Sequence, residues 1–257
     1  MAKSRIDRVP DAVAPVRKTE KVSELVAREI LHDIARRKLP PGSKLPPEAE
    51  LVAKYQVARV SLREALRILE VQGLVRLKAG AGGGPLVGEV RSIDFARMAT
   101  MYYHLSGATI GELFEARLSL ETEMAAYAAR TRDPAMIEAL KENLANAQQI
   151  DADDADSTHS SAARSFHDII IELSGNRILS LLSRSIKDIY VERVRNIQYP
   201  PDVRREIQEA HEGIADAILS GDDLKAANLM RAHMQSYLQR SVLANIPGLL
   251  DEVIDWR

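Results

Sequence analysis

Apolar residues recur at helical spacing through most of the chain and at strand spacing in one short stretch. From Lys21 onward, Val22, Leu25, Val26, Ile30 and Ile34 fall on one face of a helix. That helix is expected to stop before Leu39-Pro40-Pro41-Gly42, because two fixed φ angles followed by a flexible glycine make a turn. Pro46 and Pro47 stand where the next helix starts, since proline lacks only a donor that the first turn leaves unused. A short helix over 47–55 follows. After Gln56-Val57 a third carries Leu62, Leu66, Ile68 and Leu69 on its apolar face and ends before Gly73. Two short helices around a tight turn, the second bearing Arg59 and Arg63 four residues apart, form a helix-turn-helix pattern.

Leu74-Val75-Arg76-Leu77 and Leu86-Val87 read as two β segments around a glycine-rich tip, Lys78 to Pro85, which is the hairpin wing of a winged helix. A phosphate-binding P-loop does not fit those glycines. No Gly-Lys-Ser/Thr follows, and Pro85 leads into a strand. Beyond Ser92 no run alternates β-branched residues. Gly107, Pro134, Gly175, Pro200-Pro201, Gly221 and Pro247-Gly248 break the rest into helices. Thr109 and Asp133-Pro134 are helix starts, while Ser174-Gly175 and Ser220-Gly221 are stops. The expectation is a mainly α fold: a winged helix-turn-helix with a small β hairpin, then an all-α bundle of six or seven helices. Four segments result, with a flexible tail over 1–19, the winged helix over 20–88, a link over 89–95 and the helical domain over 96–257.

Composition and charge narrow the function. The chain has 257 residues, 46% hydrophobic and 28% charged, which suits two globular domains. No cysteine is present, so disulfides, thiolate metal sites and cysteine nucleophiles are excluded. The longest stretch without Asp, Glu, Lys or Arg outside the wing, 98–111, is only 14 residues and holds His104, Ser106 and Thr109, so no membrane span is expected. The first 20 residues lack the apolar core of a secretory signal, and a cytoplasmic protein is the expectation. The net charge of −2 divides unevenly: residues 1–90 hold 17 Lys and Arg against 11 Asp and Glu, residues 91–257 hold 18 against 26. A basic front and an acidic back suit a polyanion-binding head on a body with another task.

At this point the sequence resembles the GntR family of bacterial transcription regulators. The resemblance rests on Leu39-Pro40-Pro41-Gly42-Ser43-Lys44-Leu45-Pro46, Glu48, Glu50-Leu51, Val57, Arg59, Leu62-Arg63-Glu64-Ala65-Leu66 and Gly73-Leu74-Val75. The chain departs from the pattern at Ala49, where the family has arginine, and at Ala58, where it has serine. Its wing is also longer by two residues. The body resembles the helical ligand-binding domain of the FadR branch, called FCD. That likeness is carried by Glu112-Leu113-Phe114-Glu115-Ala116-Arg117, Leu120-Glu121, Phe166-His167, Ile170, Ser174-Gly175-Asn176, His211 with Ala215 and Ile218, Gly221-Asp222, Ala226 and His233. It implies a homodimeric, ligand-responsive regulator, repression being the commoner mode. Two heads would meet a near-palindromic double-stranded DNA operator, and a small organic acid or acyl compound would release it.

Several residues are candidates for this chemistry. Arg59, Ser61 and Arg63 stand at the front of the second helix, where arginine reads guanine or anchors phosphate. Arg63 has a rival role in pairing with a nearby acid, and Ser61-x-x-Glu64 also reads as a capping box. Lys78 and Gly80 lie at the wing, where a glycine backbone approaches phosphates closely or simply tightens the hairpin.

His167, His211 and His233 fall on three helices. The resemblance implies that they ligate a divalent metal, zinc or nickel, although Ala163 stands where metal-binding members have an aspartate. Arg117 is the effector candidate, as a two-pronged grip on a carboxylate, unless it pairs along the helix with Glu121. His104 and His159 show no partner, and Trp256 is expected to dock. The acidic run over 151–156 lacks the residues of a calcium loop and reads as a helix start. The alternative function is a metal-dependent hydrolase built on the three histidines. No HExxH or comparable arrangement supplies its general base, and the chain is expected not to be an enzyme.

Overall fold

The computed structural model describes residues 21–80, 83–149, 157–194, 200–240 and 246–256. The tail over 1–19, the acidic run over 151–156 and the centre of the wing tip lie outside them, as does the side chain of His159. The chain divides into two compact units, Met1–Glu89 and Val90–Arg257.

The first unit contains α1 (Val22–Arg36), α2 (Glu48–Tyr55), α3 (Arg59–Val71), β1 (Val75–Lys78) and β2 (Gly84–Val87). The apolar stripe of α1 reaches the core from Val26, through Ala27 and Ile30, whereas Val22 and Leu25 remain exposed. Helix α2 opens directly after Pro47 with Glu48 and Glu50 in its first turn, where negative charge suits the helix dipole. Gln56, in a left-handed conformation, closes it and sets the turn into α3. Leu62, Ala65, Leu66 and Leu69 of α3 are buried against Val26, Ile30, Leu51 and Val75.

The hairpin is antiparallel, with Val75 opposite Val87 and Lys78 opposite Gly84. The Pro-Pro-Gly segment does more than turn the chain. Ser43 O accepts from Val87 N, and Leu45 N donates to Pro85 O, both at 2.9 Å, so residues 42–45 line the outer edge of β2. Gly88 closes the unit where no side chain fits, since a Cβ there would lie 2.0 Å from the Gly73 carbonyl oxygen.

The second unit holds α4 (Ser92–Ser106), α5 (Ile110–Thr131), α6 (Pro134–Gln149), α7 (Ser157–Leu173), α8 (Arg177–Val194), α9 (Pro201–Ser220) and α10 (Asp223–Arg240), with a 3-10 turn at Leu249–Asp251. Helix α4 starts inside the link read over 89–95. Both Arg91 Nε and Arg91 Nη2 donate to Asp94 at 2.9 Å across its first turn, and Ala96 is buried one turn later.

The Thr109 start is a complete capping box: Thr109 Oγ1 accepts from Glu112 N at 3.2 Å, and Glu112 Oε2 accepts from Thr109 N at 2.8 Å. Asp133 Oδ1 likewise accepts from Ala135 N and Met136 N at the start of α6. Helix α5 is the central post, packed by α7, α8, α9 and α10 around Phe114, Met124, Phe166, Tyr190, Ile214 and Met230.

Two expectations about the body are corrected. His104 has a partner, its Nδ1 lying 2.9 Å from the Ile254 carbonyl oxygen. The C-terminal segment docks through Ile254, 1% exposed, while Trp256 is 59% exposed. Ile254 N donates to Ala108 O and Ile110 N to Glu252 O, so backbone pairing aims Ile254 inward and leaves the indole outside. No helix among the described residues is long and apolar enough to cross a membrane.

Candidate functional site

On the first unit the buried leucine face of α3 leaves its opposite face to solvent. Arg59 and Arg63 are exposed there, one turn apart. Arg63 Nε donates to Glu48 Oε2 at 3.0 Å, which is the acid pairing weighed against DNA contact. The pair is 70% exposed on the arginine side, so solvent screens it and it competes only weakly with a polyanion. Helix α3 begins at Arg59, with Ala58 as its uncapped boundary residue, so Ser61 lies within the first turn and does not start the helix. That corrects the capping-box reading of Ser61-x-x-Glu64. Arg67, also exposed, continues the arginine row by a further turn. The same four-residue spacing that links Arg59 to Arg63 points to it. Lys78 is exposed at the end of β1, and Gly80 beside the tip has a φ of +92°, a conformation L-residues avoid.

In the second unit the three candidate histidines come together. His167 on α7, His211 on α9 and His233 on α10 are all buried, and their ligand atoms lie within 4.8 Å of one another. His211 Nε2 and His233 Nε2 are 3.3 Å apart. Two nitrogens bound to one tetrahedral zinc at the usual 2.0–2.1 Å stand about 3.3 Å apart, so this pair already has the spacing of a shared metal edge. Phe166 stacks on the His211 ring, with centroids 3.9 Å apart and planes 11° from parallel, and fixes its orientation.

Burial, then the neighbouring His233, His167 and Arg117 charges, push the His211 pKa well below its ordinary value. Burial also lowers His233, to about 3, helped by His167 and opposed by the Glu121 charge. Both rings are therefore neutral at pH 7, the state that ligates metal. The donor set and spacing fit a borderline divalent metal. Zinc or nickel would be held by His167, His211 and His233, supplying Lewis acidity toward a bound carboxylate.

Arg117 and Glu121 of α5 form the helical pair that the sequence offered as an alternative, Arg117 Nε donating to Glu121 Oε1 at 2.5 Å, with both side chains buried. The guanidinium also lies over the Tyr190 ring, 4.8 Å from its centroid. The second oxygen of Glu121 meets His167 Nδ1. Burial alone would raise the Glu121 pKa. The Arg117 and His167 charges outweigh burial and hold the carboxyl well below the usual carboxylate range. Sequence reasoning treated Glu121 only as a partner of Arg117 and missed its contact with the histidine cluster.

Comparison with known proteins accords with this arrangement. Residues 22–83 match the model of "Bacterial regulatory proteins, gntR family", and residues 112–236 match the FCD domain. The transcriptional repressor NanR of Citrobacter rodentium is 30% identical over 232 residues, covering 84% of each chain. The transcriptional regulator LutR of Bacillus subtilis is 29% identical over 78% of this chain and 92% of its own. A GntR structure from Streptococcus agalactiae superposes with a TM-score of 0.58 at 24% identity, covering 83% of this chain and 98% of that one, which shows the shared fold. These relatives are regulators, and nothing among them supports the hydrolase alternative. With a winged helix-turn-helix head followed by an FCD body, the chain belongs to the gntR family of bacterial regulatory proteins and is a ligand-responsive DNA-binding transcription regulator.

Proposed function

We propose that the protein is a homodimeric, cytoplasmic repressor that leaves a near-palindromic operator when a small organic acid or acyl metabolite binds its helical domain. Arg59, Ser61 and Arg63 contact DNA from the front of α3, while Lys78 and Gly80 contact it from the wing. Zinc or nickel bound by His167, His211 and His233 receives the effector carboxylate, and Arg117 is its cationic contact. The observation that carries this reading is the convergence of three buried imidazoles in the helical unit of a chain whose other unit is a DNA-binding head. Three protein ligands leave a metal position open to a small molecule, as in open zinc sites. An effector that binds one dimer arrangement better shifts the population toward it and changes operator affinity by the same free energy.

The test is fluorescence anisotropy on DNA from upstream of the protein's own gene, at two salt concentrations. Wild type is expected to bind tightly in the presence of competitor DNA, and the Arg59→Ala/Arg63→Ala variant more weakly, with a shallower salt dependence. Organic acids added with zinc or nickel are then expected to release wild type. Weak, salt-erased binding equal in both proteins would overturn the assignment of α3 as the reading helix.

A further inference from the structure

We infer that Glu121 is the positioning residue of the three-histidine centre: it accepts a hydrogen bond from the Nδ1–H of His167, leaving Nε2 of that ring as the metal ligand. The two carboxylate oxygens have separate tasks. Oε1 accepts from Arg117 Nε, and Oε2 lies on His167 Nδ1. Arg117 is in turn held over the Tyr190 ring, so the carboxylate is fixed from a helix that contributes no histidine. Glu121 is 1% exposed, which leaves this carboxylate little water to turn toward.

A neutral imidazole carries one proton on its two nitrogens. A carboxylate at Nδ1 keeps the proton there, so the lone pair sits on Nε2. Carboxylate partners of this kind orient metal-binding histidines and raise their basicity, and removing one typically costs 10–100-fold in metal affinity. The Arg117 pairing also restrains Glu121 from swinging inward as a fourth ligand, which keeps the centre all-nitrogen on the protein side.

This inference rests on metal occupancy of the histidine cluster, and the experiment separates the two. Zinc and nickel affinities are measured by competition with a chromophoric chelator for wild type, Glu121→Gln and the exposed control Glu123→Gln. Glu121→Gln is expected to bind about 10–100-fold more weakly, with Glu123→Gln unchanged.

In parallel, long-range proton–nitrogen spectra of zinc-loaded wild type labelled with 15N-histidine report the tautomer of each ring. His167 is expected to be protonated at Nδ1 and metal-bound at Nε2. This measurement decides the matter if Glu121→Gln fails to fold. Metal bound through Nδ1 of His167, or a folded Glu121→Gln variant with wild-type affinity, overturns the role of Glu121 and leaves the metal centre standing. Failure of wild type to bind either metal removes both.

Discussion

Ala58 stands at the N-terminal boundary of α3 without a side-chain cap, and Ala58→Ser should stabilise the head. Ala58 has φ −65° and ψ 147°, the extended conformation of a capping residue, and its carbonyl accepts the first bond of α3 from Leu62 N at 3.1 Å. The amides at the start of a helix have no partner within it. A serine oxygen at this position accepts from Val60 N or Ser61 N in the usual capping geometry. The site is exposed, so the new hydroxyl carries little desolvation cost. Exchanging alanine for serine at such a position is worth about 1 kcal/mol. In a domain of the size of the first unit that raises Tm by about 4–8 °C, or by about 2–4 °C if both units melt together.

The assay is thermal unfolding followed by circular dichroism, comparing wild type, Ala58→Ser and Ala58→Val. Serine should raise the midpoint and valine should not, because only the oxygen can cap. Equal shifts in both variants, or none with serine, would refute the reasoning. The resemblance to the family places serine at this position. The natural alanine thus leaves the helix start less stable than the fold allows.

Two other perturbations follow from burial. Phe114 is fully buried, with its ring edge-on to Tyr190 at 5.7 Å. Phe114→Ala should cost about 3–5 kcal/mol in urea unfolding, and a loss below about 1 kcal/mol would contradict its place in the core. The metal-free protein should also lose stability in acid. His211 and His233 have folded pKa values depressed below the ordinary 6.5, so their neutral form is fully present in both states above that pH. As pH falls below 6.5 the unfolded chain takes up protons that the folded one refuses. Each group then removes up to about 1.4 kcal/mol per pH unit, and for His233 the loss ends near pH 3. Glu121 adds a loss of the same sign below about 4.5. Urea midpoints equal at pH 7 and pH 5 would refute the neutral-histidine assignment.

Features governed by neighbours in sequence were the legible ones. Thr109 starts its helix as the pattern implied, and Glu112, three residues on, completes a capping box with it. Gly107 and Gly221 end their helices in the left-handed conformation, as a missing Cβ permits. The amphipathic face of α3 was readable from its leucines for the same reason, and the outward arginine row follows from it. What escaped was non-local. Nothing at 42–45 signals that a proline-rich turn will line β2, because its partners are some forty residues away. Nothing near Trp256 shows that Ile254 takes the buried place. That choice is made by backbone pairing with residues 108–110.

The histidine centre shows where the two kinds of information meet. Its ligands were named only through resemblance, and the absence of an aspartate at Ala163 made the site look short of negative charge. The folded chain puts a buried carboxylate beside His167 from a different helix, 46 positions away in sequence. Spacing on one helix face cannot show this, since Glu121 also makes a satisfactory pair with Arg117 one turn away. Only the packing of α5 against α7 gives the second oxygen of Glu121 its partner. With a metal on those histidines, this charge would stand not at the ion, where an aspartate would place it, but behind His167, where it would set the ring tautomer and leave a coordination position for a small ligand. A metal held by three imidazole nitrogens alone would keep its positive charge, and that charge would favour an anionic ligand more strongly than a site already neutralised by its own carboxylate.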